Sequence, residues 1–286
     1  MLNSIIVMQI VLIELIGDGV ENRRIIMLFR IIDRMESMKL NYKLQGDGQP
    51  IVFLHGVFGS LDNLNMLAKN FAKHYQTVQV DLRNHGHSPW SDKINYQAMA
   101  EDVAELCYDL QLKDIILIGH SMGGKVAMHL SQMLSDTIQK MVVIDIAPIK
   151  YHRSGNATIL RVLMYCLTNQ ITDKKQIINL MEQAGINAPT ILFLLKSFKN
   201  EKWLFNIQAI NSQYGHICDW QNISPWLKPT LFIRGGNSSY ITNEAYDAIF
   251  AQFPNAKIEV VEGAGHNVHA EKTQQVLQLL HNWLEG

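Results

Sequence analysis

Ser121 lies in Gly119-His-Ser-Met-Gly-Gly-Lys125, directly after the apolar run Ile115-Ile-Leu-Ile and directly before the helix-like Val126-Ala-Met-His-Leu. A serine hydroxyl is a weak nucleophile unless its surroundings activate it. On a tight strand-to-helix turn, glycines at 119 and 123 avoid Cβ clashes, so Ser121 is held strained and exposed. The helix behind it aims backbone N–H groups at the same point, and the amide of Met122 is placed to receive an oxyanion. A second donor is expected from a loop after an early strand. Val52-Phe-Leu-His55-Gly-Val57-Phe-Gly-Ser60 supplies a His-Gly turn there, with the N–H of Val57 as the candidate and Phe58 as runner-up. His55 reads as structural, with a supporting role at the site as the alternative.

A nucleophilic serine needs a base, and the base an orienting acid. Lys257-Ile-Glu-Val-Val is followed by Glu262-Gly-Ala-Gly-His266, which puts a histidine in a glycine-rich loop just beyond a strand. His266 is the expected base; His269 falls at the start of the following helix and is the poorer choice. The expected acid is Asp145, ending Met141-Val-Val-Ile-Asp one strand after the nucleophile's own, because neighbouring strand ends lie about 5 Å apart along a sheet edge. Asp219 and Asp247 are the outside candidates.

The elements that would position these groups follow a simple rhythm. β-rich runs at Ile51–Leu54, Thr77–Asp81, Ile115–Ile118, Met141–Asp145, Thr230–Arg234 and Lys257–Val261 alternate with helical patterns such as Tyr96–Leu112 and Ala270–Leu284. Strands apolar on both faces imply an α/β fold, a mainly parallel central sheet with helices on both faces. About 80 residues separate the strand ending at Asp145 from the one starting at Thr230, too many for a structureless loop. Their patterns at Asn156–Leu167 and Lys174–Glu182 predict a helical cap, giving a core of 38–148 and 227–286 and a cap of 149–226. Leu163, Phe198 and Phe58 are the candidate substrate-binding residues, with the cap's own core as the competing role for its apolar side chains.

The 286 residues are 48% hydrophobic and 18% charged, with 25 Lys+Arg against 26 Asp+Glu. That balance, without a basic run, argues against a nucleic-acid partner. Cys107, Cys166 and Cys218 are odd in number, widely spaced and form no C-x-x-C pair, so neither a disulfide framework nor a thiolate metal site is expected, and the chain reads as cytoplasmic. Ile5–Ile16 is too short to span a bilayer and lacks a basic flank, so no stable membrane insertion is expected. Residues 1–37 read as an extension upstream of a domain starting near Met38, the rival being an amphipathic surface helix.

Taken together, Leu54-His-Gly-Val-Phe-Gly-Ser-Leu-Asp-Asn63, Asp81-Leu-Arg-Asn-His-Gly-His-Ser-Pro89, Gly119-His-Ser-Met-Gly-Gly-Lys125, Ile144-Asp-Ile-Ala-Pro148, Phe193-Leu-Leu-Lys-Ser-Phe198, Gly235-Gly-Asn-Ser238 and Gly263-Ala-Gly-His266 resemble the α/β-hydrolase superfamily and, within it, the branch of YbfF-like esterases. The resemblance runs from Met38 to the end. It implies a serine carboxylesterase or thioesterase acting on a small-molecule acyl ester or thioester, acyl-CoA among them, through a Ser-His-Asp triad and an acyl-enzyme. It implies no cofactor and no metal, and a monomer or small homo-oligomer is expected. The order Ser, acid, His agrees with that fold. Many of its members carry the carboxylate after the strand that follows the cap, where this chain reads Gly235-Gly-Asn-Ser-Ser-Tyr240. The branch pairs serine and histidine with an Asp at the position of Asp145, leaving Ser238 to assist by hydrogen bonding.

Three rival readings remain at this level. Gly119-x-x-x-x-Gly124-Lys125 matches a phosphate-binding loop except at Val126, which cannot ligate Mg²⁺ as Ser or Thr would. His85 and His87 suggest a metal site, but no further ligands follow and a solvent-facing turn is the simpler reading, with Arg83 anchoring loops. The same fold also hosts lyases and C–C hydrolases.

Overall fold

The computed structural model describes residues 38–285, and the expectation for residues 1–37 lies outside them. Strands β1 (Tyr42–Gln45), β2 (Pro50–Leu54), β3 (Gln76–Val80), β4 (Ile115–His120), β5 (Ile138–Ile144), β8 (Thr230–Gly235) and β9 (Ala256–Val261) form one seven-stranded sheet. Its order is β1-β3-β2-β4-β5-β8-β9, with β1 antiparallel to β3 and every other pair parallel. The order turns back between β2 and β4: β3 lies on one side of β2 and the rest of the chain builds on the other. Open α/β sheets bind ligands at such a reversal, beyond the carboxyl ends of the strands.

Alternate residues of the central strands face opposite layers. Ile51, Phe53, Ile116, Ile118, Val142, Ile144, Leu231 and Ile233 point to one side. There they meet Leu67 and Phe71 of α1 (Asn65–Phe71) and Val276, Leu277 and Leu280 of α10 (Thr273–Glu285). The other side is covered by α2 (Tyr96–Asp109) and α3 (Met122–Met133), and Phe232 meets Phe253 edge-on beyond α8 (Tyr246–Gln252). The C-terminal helical pattern is interrupted at Lys272, which separates the short α9 (Val268–Glu271) from α10.

The insertion between β5 and β8 carries α4 (Ala157–Thr168), α5 (Lys174–Gln183), α6 (Ala188–Leu195) and α7 (Ile207–Cys218). It is not wholly helical, because β6 (Phe198–Lys199) and β7 (Lys202–Trp203) pair as a two-residue ribbon between α6 and α7. Asn or Asp caps the starts of α5, α6 and α7: Asp173, Asn187 and Asn206 each accept a hydrogen bond from the amide three residues on. No helix of the described residues is long and apolar enough to cross a membrane.

Candidate active site

Ser121 follows β4 and starts α3 with φ 53° and ψ −120°, a conformation that L-residues avoid at a cost of about 1–3 kcal/mol. The turn is held closed from behind. A Cβ on Gly123 would lie 2.2 Å from the Leu54 carbonyl oxygen, so only glycine lets α3 start this close to β2. The Ser121 amide donates to Ile144 O at 2.9 Å, tying this turn to the strand that precedes Asp145.

Asp145 stands one residue past β5, also at φ 53°, with no exposed surface. Its Oδ1 accepts the Gly235 amide at 2.9 Å, and its Oδ2 accepts the Ser238 hydroxyl and lies 2.7 Å from His266 Nδ1. Three donors thus surround a fully buried carboxylate. His266 reaches it by crossing over the end of β8. A Cβ on Gly235 would lie 2.3 Å from Gly265 O and 2.7 Å from Ala264 O, and this close passage brings the histidine from the sheet's edge strand back to β5. His266 Nε2 lies 2.9 Å from Ser121 Oγ. With a carboxylate at Nδ1, the ring donates there and presents an unprotonated Nε2 to the serine hydroxyl. Ser121, His266 and Asp145 therefore form one continuous chain of hydrogen bonds.

Val57 and Met122 line the same cavity as Ser121, and their backbone amides donate no hydrogen bond among the described residues. Phe58, the runner-up donor, is already committed: its amide donates to His85 Nε2 at 3.2 Å. Its φ of 64° is fixed from three sides, by that bond, by Ser197 Oγ donating to Phe58 O at 2.9 Å, and by ring contact with Phe205. His85 is buried, with its Nδ1 against Arg83 O, while His87 and Pro89 are exposed, so the turn from Asp81 to Pro89 faces solvent on its outer side and supports Phe58 with its inner side. Burial pushes the His85 imidazole down to about 3, which keeps it neutral and able to accept. Arg83 forks onto Asp102 at 2.6 and 2.8 Å and anchors the same turn. His55 is buried between the Leu82 amide and Gly56 O and does not face the cavity. No cluster among the described residues is fit to hold a metal ion.

The cavity has a volume of about 240 Å³; beside Ser121 its walls include Ile146, Asn156, Ile217 and the rings of Tyr96, Tyr151, Tyr214 and Tyr240. Three tyrosine hydroxyls are engaged: Tyr96 with Ile217 O, Tyr151 with Tyr240 O, and Tyr214 with Asn156. Phe58, Leu163 and Phe198 do not line it. Leu163 is in the cap's own core, Phe198 packs on Trp203, and Phe58 supports its loop from below. The wall is instead built from tyrosines whose spacing carries no periodic signal. Asp219 pairs with Lys150 at the surface and Asp247 is exposed, so neither faces His266.

Lys125, the residue that mimics a phosphate-binding loop, is turned away from any such cradle. It is buried, its Nζ donates to Ile149 O and Asp219 O at 2.8 and 2.9 Å, and it lies over the rings of Tyr96, Tyr151 and Trp220. His120, before the serine, was also missed from sequence; its Nε2–H donates to His266 O at 2.9 Å and fixes the loop that carries His266. His269 is buried edge-on against His120.

The family model described as "Alpha/beta hydrolase family" matches residues 51–279. Esterase YbfF of Escherichia coli is 42% identical over 252 residues, covering 86% of this chain and 99% of its own length. The mouse sn-1-specific diacylglycerol lipase ABHD11 is 33% identical, covering 87% and 86%. Among solved structures, a marine microorganism esterase superposes with a TM-score of 0.80 at 33% identity, over 86% of this chain and all of its own. With its sheet order, its serine on a strand-to-helix turn and these relatives, the chain belongs to the α/β-hydrolase family, in the branch of YbfF-like esterases.

Proposed function

We propose that this ester hydrolase works as a serine acyl-transfer enzyme with Ser121 as nucleophile, His266 as general base and acid, and Asp145 as the acid that orients it. The observation that carries the reading is the unbroken run from Ser121 Oγ through both ring nitrogens of His266 to a buried Asp145, opening onto a cavity with two unpaired amides. His266 Nε2 takes the serine proton as Oγ bonds to the acyl carbon, and the amides of Val57 and Met122 receive the negative charge on the acyl oxygen. The imidazolium is stabilised by Asp145 and returns its proton to the departing alkoxide or thiolate. Water then attacks the acyl-enzyme by the same route, with His266 as base, releasing the acid and restoring Ser121. Ser238 holds the second oxygen of Asp145 and so keeps the carboxylate aimed at Nδ1.

The substrates we assign are small carboxylic esters and thioesters, with the acyl group in the tyrosine-walled cavity. A volume of about 240 Å³ favours short and medium acyl chains over long ones. The test is release of p-nitrophenol from acyl esters of graded length in buffer with chelator, by the protein and its Ser121→Ala variant. Chelator-resistant turnover should fall by about 10⁴ to 10⁶ in the variant, and a fluorophosphonate should add its mass at Ser121. Undiminished turnover by Ser121→Ala overturns the mechanism, and an optimum at twelve carbons or beyond overturns the assigned chain length.

A further inference from the structure

The two hydrogen bonds of His266 lie in the plane of its ring, at Nδ1 and Nε2. Two in-plane bonds fix the line joining the nitrogens but leave the ring free to swing about that line. When the serine oxygen bonds to carbon, the Nε2 contact is remade to a proton in transit, and only Asp145 then holds the imidazolium by a hydrogen bond. Some other contact has to hold the ring's face.

Tyr240 supplies that face. Its ring is stacked on the imidazole with centroids 3.8 Å apart and planes 17° from parallel, the closest ring pair at the site. His120 approaches the same imidazole at 4.9 Å but is tilted by 44°, and burial holds it far below the usual histidine range, so it brings no competing positive charge. The position of Tyr240 is set through its backbone. Its amide donates to Ser238 Oγ at 3.2 Å, and its carbonyl accepts the Tyr151 hydroxyl at 2.6 Å, which in turn accepts the Ala147 amide at 2.9 Å. Ser238 also donates to Asp145, so one short segment sets both the acid's aim and the ring over the base. Ile241, fully buried, anchors the next residue.

We propose that Tyr240 is a positioning residue, the ring face against which the His266 imidazole is held and on which its protonated form is stabilised. The inference rests on the assignment of His266 as base. An aromatic face carries negative charge density toward a cation, so the contact is stronger for the imidazolium formed in the transition state than for the resting imidazole. The Tyr240 hydroxyl takes no part in this.

The test compares Tyr240→Phe, Tyr240→Leu and a variant with pentafluorophenylalanine at 240, which keeps the shape of phenylalanine and reverses the charge on its face. Because the bonds holding residue 240 are backbone bonds, each variant retains them; Tyr240→Met stands in if Tyr240→Leu does not fold. Tyr240→Phe should keep kcat within about twofold, whereas Tyr240→Leu and the fluorinated variant should lose about tenfold in kcat whatever the change in KM, since this ring also walls the cavity. Wild-type kcat in Tyr240→Leu, equal losses in Tyr240→Phe and Tyr240→Leu, a loss confined to KM, or a fluorinated variant matching Tyr240→Phe would each overturn the proposal. Ser121→Ala run alongside separates the two levels: if it is inactive while Tyr240→Leu behaves as wild type, only this inference fails, and if it retains full turnover the parent reading fails first.

Discussion

Asp145 shows how a buried charge is kept in place by the groups it serves. Its carboxylate has no contact with solvent, and its charge is offset by the Gly235 amide, the Ser238 hydroxyl and the His266 ring. Removing one partner from such a set leaves the remainder buried and unmatched. Asp145→Asn keeps the shape but presents an amide to Nδ1, which favours the wrong tautomer at His266. Its kcat is expected to fall by about 10⁴ with KM little altered. Ser238→Ala removes one donor and leaves the other two, so a loss nearer tenfold is expected from steady-state kinetics on the same ester. Equal losses in the two variants would mean that the carboxylate orients the imidazole only while the Ser238 hydroxyl holds it. Ser121, Asp145 and His266 were legible in sequence because each follows a strand at a turn with a recognisable residue pattern. The contacts of Tyr240 and His120 were not, since each is made to a partner distant in the chain, Tyr240 stacking on His266 and His120 bonding to its carbonyl.

Elements place these residues by close approach. Gly123 lets α3 begin against the carbonyl of Leu54, and a methyl group there has nowhere to go. Gly123→Ala should therefore destabilise the protein by about 3 kcal/mol or more and reduce turnover in whatever folds, as read by urea unfolding and ester hydrolysis. Further along the same helix, Lys125 joins α3 to both ends of the cap through Ile149 O and Asp219 O. Burial pushes its ammonium down to about 7, below the ordinary lysine value. Between pH 7 and about 10.4 the unfolded chain then binds more protons at this residue than the folded one, so its contribution to stability rises with pH across that window. The gain is at most about 1.4 kcal/mol per pH unit, and Lys125→Met should lack it when unfolding free energies are compared at pH 7 and 10. A parallel pH dependence in wild type and variant would place the titration elsewhere. At this scale the sheet was legible because strands buried on both faces read as unbroken apolar runs, as at Ile115–Ile118. The ribbon at Phe198–Lys199 and Lys202–Trp203 was not, because two residues per strand show no period. The break at Lys272 was hidden by apolar spacing that continues across it.

Across the whole molecule, the reversal of strand order between β2 and β4 puts the Val57 loop and the Ser121 turn at adjacent strand ends, and the cap rises from the end of β5 beside them. The insertion was expected from chain length and helical pattern, but its contribution to the cavity could not be, because Tyr151 and Asn156 precede its first long helix, Tyr214 lies in its last, and they share no spacing. The cap also grips the loop that carries Val57: Phe58 is bonded by Ser197 and packed by Phe205, both from the insertion. The amide geometry at Val57 is thus set partly by side chains of the insertion, outside the central sheet. Mild heating that loosens the insertion should extinguish turnover some degrees before the far-ultraviolet dichroism of the sheet and its helices changes, and cooling from that interval should restore it. If activity and dichroism are lost together, the cap and sheet melt as one cooperative unit; if they part, the enzyme carries a thermal cut-out below its melting point.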